Sequence, residues 1–200
     1  MRRIIFATSN EGKMKEIREI LMGMDIELLS LKDAGIDIDI IEDGSSFEEN
    51  AIIKAEAICK LTGEIVLADD SGLEIDYLDK APGIYSARFL GENTPYLEKN
   101  TYIIEQLKNI PNDKRTARFV CTIACSFPGQ DTITRTGIIE GYIADKISGS
   151  NGFGYDPIFY VPEYKCTTAD MPAELKNKIS HRAKALEAIK EVLTEHLDNR

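Results

Sequence analysis

The segment RRIIFATSNEGKMKEI passes from an apolar, strand-like run through a turn carrying Thr8, Ser9, Asn10 and Gly12 into a helical pattern that opens with Lys13. Strand, polar turn and helix start is how α/β proteins hold anions, because the first N–H groups of a helix lack intrahelical partners. The Walker form of phosphate loop is excluded. It needs a glycine five residues before its Gly-Lys pair and a serine or threonine directly after, and Ala7 and Met14 occupy those places. An Asn-rich turn with a solvated lysine fits the same residues, so the segment alone leaves both readings open.

Lys54 sits where stability would not put a lysine. On the helical pattern FEENAIIKAEAICKLT it falls in the apolar stripe of Phe47, Ala51, Ile58 and Leu61, whereas Lys60 points away. Snorkelling along the stripe edge is one reading; a cation projecting from the packed face toward an anion is the other. Asn50, one turn earlier, lies on the same side. Asp69 and Asp70 follow EIVLA, the end of an expected buried strand, where ligand sites of α/β sheets gather. Two adjacent acids there repel and lose hydration unless a cation compensates. With Glu42 of the earlier IEDG turn as a third donor, few carboxylates plus phosphate oxygens and waters is the arrangement magnesium takes. A solvated acidic turn is the alternative.

His181 and Arg182 stand in the first turn of the last helix, behind Ser180 as a cap, where positive charge opposes the helix dipole. They are not there for helix stability. Lys176 lies just upstream, and His196, near a fraying end, receives no role. In GFGYD, Gly152 to Asp156, the glycines suit a tight turn. Phe153 in such a turn needs something to pack on, and a planar base is one candidate.

The elements that must hold these residues alternate early. A first helix carries Met14, Ile17, Ile20, Leu21 and Met24, and DIELLSL follows as a strand. AGIDIDIIEDGSS alternates and then turns. Ser46 with Glu49 reads as a capping box and Gly63 as the terminator of the next helix. EIVLADDSGLEID is a strand entering an acidic turn, and DKAPGIYSARFLGEN is a loop. Thr94 and Pro95 open a helix to about Asn109, as cap and first-turn proline. ARFVCTIACSF and TITRTGIIEGYIA, either side of PGQD, form an expected β-hairpin. A glycine-rich stretch, a short strand and an amphipathic helix with Leu186, Ile189, Leu193 and Leu197 complete the chain. This is an α/β pattern with a mixed sheet. No composition break divides it, so residues 1–200 are expected to form a single domain.

Composition narrows the partners. A formal charge of −10 argues against a sequence-independent nucleic-acid binder, and 43% hydrophobic residues over 200 positions support a real core. Cys59, Cys121, Cys125 and Cys166 show no CxxC pairing and read as reduced thiols of a cytoplasmic protein. The apolar run Ile4 to Ala7 is too short for a signal-peptide core, and no membrane partner is expected.

Six stretches, TSNEGK, FEENAIIKA, LADDSGLEID, APGIYSARF, GSNGFGYDPIF and ISHRAKAL, occur in an order and spacing that strongly resembles the noncanonical purine nucleoside triphosphate pyrophosphatases, the Ham1/RdgB-like inosine triphosphatase family. The resemblance runs from about Ile4 to about Leu186. It implies that Thr8, Ser9, Asn10, Glu11, Gly12 and Lys13 bind the triphosphate and that Lys54 contacts phosphate. It implies that Asp70 acts as base and metal ligand, with Ser71 touching substrate and Glu42 associated with Mg2+. Phe153, Gly154, Tyr155 and Asp156 would shape a base pocket together with Lys176, His181 and Arg182. The implied fold is an elongated mixed β-sheet with flanking helices and two lobes around a central substrate cleft, in a homodimer.

The expected reaction is hydrolysis of ITP, dITP or XTP to the monophosphate and pyrophosphate, with Asp70 as catalytic base and Asp69 able to exchange part of that role. Discrimination would come from donors to the purine 6-keto oxygen, where adenine presents an amino group. A pyrophosphatase for a modified pyrimidine triphosphate would keep the phosphate chemistry and change the pocket. A nucleotide sensor that does not hydrolyse would have no use for Glu42 and the two aspartates.

Overall fold

The computed structural model describes residues 2–198. In chain order its main elements are β1 (Arg2–Phe6), α1 (Glu11–Ile20), β2 (Ile26–Ser30), α2 (Phe47–Thr62), β3 (Ile65–Ile75), α3 (Tyr96–Gln106), β4 (Thr116–Ser126), β5 (Ile133–Ile143), β6 (Phe159–Val161), β7 (Cys166–Thr167), α4 (Ala173–Ile179) and α5 (His181–Asp198). The strands form one sheet in the order β2-β1-β3-β4-β5-β6-β7. β1 pairs in parallel with β2 and β3, whereas β6 is antiparallel to β5 and β7, so the sheet is mixed as expected. The chain divides into two compact units, each assembled from separate segments.

The first unit comprises Met1–Asp70, Cys121–Gly137 and His181–Arg200. Here β1 alternates between two cores. Ile4 and Phe6 pack with Met14 and Ile17 of α1 and with Leu186 and Ile189 of α5. Ile5 and Ala7 pack with Ala51, Ala55 and Ile58 of α2. Burial on both faces is why the strand reads as an unbroken apolar run rather than an alternating one. The second unit, Ser71–Val120 and Ile138–Ser180, closes a separate core around Leu73, Ile75, Ile103, Phe119, Ile139 and Phe159.

Several local expectations need correction. Asp69 and Asp70 are not in a turn: β3 continues through them to Ile75, because Leu73 and Ile75 carry the strand into the second core. Its ladder with β1 covers only Ile65 to Leu67, so both acids still lie past the end of the parallel partner. The capping box is displaced by one residue. Ser46 accepts from Glu49 N as expected, but the Glu49 carboxylate turns to Ser45 N and Oγ. Gly63 terminates α2 in a left-handed conformation, φ 69°. Leu61, assigned to the packed stripe, is 59% exposed, since the stripe turns away from the core by the last turn of α2. Thr94 does not cap α3. Its hydroxyl donates to Leu90 O, and Pro95 occupies the extended position before the helix. His196, expected to fray, stacks on Phe127 at 3.8 Å within the span of α5.

Candidate active site

Strand geometry decides what the two aspartates do. Successive side chains of a strand point to opposite faces. Leu67 packs on the α1/α5 side and Val66 and Ala68 on the α2 side. Asp69 therefore shares the face of Leu67, and Asp70 that of Ala68. The repulsion expected of adjacent acids is relieved by this divergence, Asp69 pairing with Lys13 and Arg182 and Asp70 standing near Lys54.

On the α1/α5 face, Lys13 Nζ lies 3.0 Å from Asp69, and Arg182 Nη2 is 3.2 Å from Asp69 Oδ2. Arg182 Nη1 donates to Glu16 Oε2 at 2.6 Å, and the guanidinium is only 2% exposed. Burial alone would raise the Asp69 carboxyl, but Lys13, Arg182 and Lys54 outweigh it and hold it well below the ordinary carboxylate range. Asp69 is thus a fixed anion that aims Lys13 and Arg182. The opening turn is built as anticipated: Asn10 caps α1 by accepting from Lys13 N at 3.0 Å, and Thr8 Oγ1 accepts from Asn10 N at 3.2 Å. Ser9, Asn10 and Glu11 are exposed and Thr8 is buried.

On the α2 face, Lys54 is 9% exposed within the apolar stripe. Its Nζ lies 2.6 Å from Glu42 Oε2 and 3.8 Å from Asp70 Oδ1, so one ammonium stands between the two carboxylates that the resemblance associates with magnesium. Asn50, 1% exposed, donates to Asp70 Oδ2 at 3.1 Å while accepting from Gly44 N at 2.9 Å. It thereby ties the segment after Glu42 to Asp70. Burial, opposed by Lys54 and by the Asn50 hydrogen bond, lifts the Asp70 carboxyl above its ordinary value.

A divalent cation is tested by this donor set. Among the described residues no group of three or more His, Cys, Asp or Glu side chains is placed to hold a metal. Magnesium asks for less, one or two carboxylates with water and phosphate oxygens. Glu42 and Asp70, already gathered around one positive charge, fit that requirement.

The third constellation lies in the second unit. Gly152 and Gly154 take left-handed conformations, and the Asp156 carboxylate accepts from Phe153 N at 2.8 Å and from Lys176 Nζ at 2.6 Å. Lys176 Nζ also stands 5.0 Å from the Phe153 ring centroid. A side chain on Gly152 would meet Asp156 Oδ2 at 2.1 Å, which explains the glycine. Asp156 is buried and occupied with holding the loop and Lys176. Tyr155 is likewise an anchor, its hydroxyl donating to Ser86 O at 2.7 Å. Phe153, Gly154 and Ser71 are half-buried.

Sequence reasoning missed four features here. Helix α4, which carries Lys176, has the proline at Pro172 as its only clear start signal. Glu16 follows Lys13 by one helical turn, a spacing visible in the chain, but its partner Arg182 is 166 residues away. Asn100 of α3 donates to Gly154 O at 3.1 Å. Gly137 of β5 lets the first turn of α5 approach: a Cβ there would lie 2.1 Å from His181 O and 2.6 Å from Ala185 N.

An α/β fold with two ion-paired aspartates back to back on one strand and a separate glycine-rich aromatic loop defines a class of nucleotide-handling protein, and comparison with known proteins narrows it. A model of the Ham1 family matches residues 4–192, and the chain belongs to that family. It is 49% identical over 199 residues to a dITP/XTP pyrophosphatase of Clostridium perfringens, covering 96% of this chain and 98% of that one. A dITP/XTP pyrophosphatase of Bacillus subtilis is 47% identical over 193 residues, covering 96% and 98%. Among solved structures, a Ham1 protein from Coxiella burnetii aligns with TM-score 0.88 and 42% identity over 98% of this chain and 100% of that one. The Staphylococcus aureus Ham1 protein gives 0.87 and 41% over the same shares.

Proposed function

We propose that the chain hydrolyses noncanonical purine nucleoside triphosphates, ITP, dITP and XTP, to the nucleoside monophosphate and pyrophosphate. The carrying observation is the cluster on the α2 face: an ammonium of Lys54 between Glu42 and Asp70, with Asn50 fixing Asp70. The relatives named dITP/XTP pyrophosphatase support the substrate class.

In this reading Lys13, Lys54 and the N–H groups at the start of α1 neutralise the polyphosphate. Magnesium, held by Glu42 and Asp70, supplies further charge neutralisation to the phosphate oxygens when bound. Asp70 accepts the proton of the attacking water as its oxygen bonds to phosphorus and the α–β bridging oxygen departs with the other product. A carboxyl lifted by burial is better matched to that task than one held down by two cations, so the base is Asp70 and Asp69 is its positioning neighbour. Ser71 follows on the same strand as a substrate contact.

The purine is assigned to Phe153 and Gly154, with Lys176 beneath the ring, and its 6-keto oxygen to the His181–Arg182 pair. The guanidinium of Arg182 is held in a fixed orientation by Glu16 and Asp69. One domain, a substrate cleft, a homodimer and a cytoplasmic location complete the proposal. No helix among the described residues is long and apolar enough to cross a membrane.

The test is a turnover panel with magnesium and ITP, XTP, GTP, ATP and dUTP, scoring pyrophosphate apart from orthophosphate. Pyrophosphate from ITP or XTP far above the rest is the expected result. Orthophosphate release, or equal use of GTP and ATP, overturns it, and a preference for dUTP would move the protein to pyrimidine substrates.

A further inference from the structure

We propose that Asn100 is a positioning residue for purine selectivity, acting on the base loop from behind through the carbonyl of Gly154. The inference rests on the reading of Phe153 to Asp156 as the purine loop. Asn100 belongs to α3, an element to which neither the motifs nor the reaction assigns a task. Its side chain is 3% exposed, and Nδ2 donates to Gly154 O across 54 residues of sequence at 3.1 Å. Gly154 has φ 67°, so the orientation of this peptide decides where the Phe153 and Tyr155 side chains diverge.

Packing alone does not explain an asparagine there. Oδ1 of Asn100 is buried and accepts no hydrogen bond among the described residues. A buried acceptor without a donor costs stability, and an apolar side chain of similar size would avoid that cost. What an apolar residue could not do is hold the Gly154 carbonyl.

The neighbours of Asn100 fasten the surroundings of that peptide. Tyr96, one helical turn earlier, meets Tyr155 edge-on, with centroids 5.2 Å apart and planes at 89°. Tyr155 in turn donates to Ser86 O, and Lys99 donates to Ala87 O at 2.6 Å. The APGIYSARF segment, whose role the proposed reaction leaves unassigned, is therefore fastened both to α3 and to the base loop. Together they form a backing, and Asn100 gives it a direct hydrogen bond to the loop's left-handed peptide.

The experiment compares the unaltered protein with Asn100→Ala and Asn100→Leu, the latter keeping the branched shape without a hydrogen-bond donor. It measures kcat and KM for ITP and GTP, the inhibition constant of pyrophosphate, which carries no base, and the melting temperature. The expected result is a rise of about three- to tenfold in KM for ITP, a matching fall in the preference for ITP over GTP, and kcat and pyrophosphate inhibition within about twofold of the unaltered protein. An unchanged KM and preference in a folded variant overturns the proposal. So does a loss in which pyrophosphate binding weakens in proportion, which is the mark of general loosening. If the unaltered protein shows no preference for ITP, the proposed function falls on its own. The split between KM and pyrophosphate inhibition, measured with whichever triphosphate it does bind, then still decides for or against Asn100.

Discussion

Asp69 and Asp70 are consecutive residues of one strand, yet their surroundings have opposite effects. Asp69 faces Lys13 and Arg182 and is held as a permanent anion. Asp70 faces Asn50 and a lysine already engaged by Glu42, and burial lifts its carboxyl. The same chemical group is thus a fixed ion-pair partner on one face and, in the proposed reaction, the base on the other. The difference comes from which helix each face presents, not from the acids themselves.

The sharpest way to break that contrast is to neutralise each acid in turn. Asp70→Asn is expected to lower kcat by about 10²–10⁴-fold, the usual span for losing a proton-transferring group, while the melting temperature stays within a few degrees. Steady-state kinetics beside calorimetry would show it, and equal loss of stability and turnover would contradict it. Asp69→Asn should do the reverse in kind. It removes a carboxylate from beside the buried Arg182, which costs about 3 kcal/mol or more and lowers the melting temperature by about 6–12 °C. Activity would suffer through displaced Lys13 and Arg182, seen mainly as a raised KM.

A smaller effect tests how the α1/α5 face is assembled. Gly137→Ala places a methyl against the backbone of His181 and Ala185. The expected cost is about 1–3 kcal/mol by denaturant unfolding, with weaker ITP binding because the first turn of α5 must shift. If the variant unfolds like the unaltered protein, the close approach is not a constraint.

The smallest effect lies in the second unit. Hydrogen bonds from Lys80 and Thr116, and the charge of Arg118, pull the Asp76 carboxyl down to about 2 from an ordinary 3.8. A depressed acid stabilises the fold above its unfolded pKa and loses that contribution as pH falls. The melting-temperature gap between the unaltered protein and Asp76→Asn should be present above about pH 4 and close as pH falls toward 2. It should correspond to about 1 kcal/mol or less, since the group is partly exposed.

How far the sequence foretold this arrangement varies with the kind of signal. Lys54 was legible because helical periodicity is local: a lysine in an apolar stripe can be seen without knowing what it faces. The mixed sheet followed from early alternation and a late hairpin. The two fates of Asp69 and Asp70 were not legible in the same way. Alternation along β3 would have separated their faces, but the strand was expected to end in a turn at that point, and nothing local says that it continues. Glu16 and Asn100 were hidden for another reason. Their partners lie 166 and 54 residues away, and no periodicity links such distances. Helix α4 is short, between a proline and Ser180, and its pattern is too brief to register.

The opposed acids also make β3 unusually intolerant of a change in length. Deleting Val66 would exchange the faces of every residue that follows it in the strand. Asp70 would then turn to the face of Lys13 and Arg182, Asp69 to that of Asn50 and Lys54, and Leu67 and Ala68 would exchange cores. The apolar register and the chemical assignment fail together, so a chain that folds with the right core has already put each acid on its proper side. In that sense selection for a packed interior and selection for activity act on the same frame of this strand.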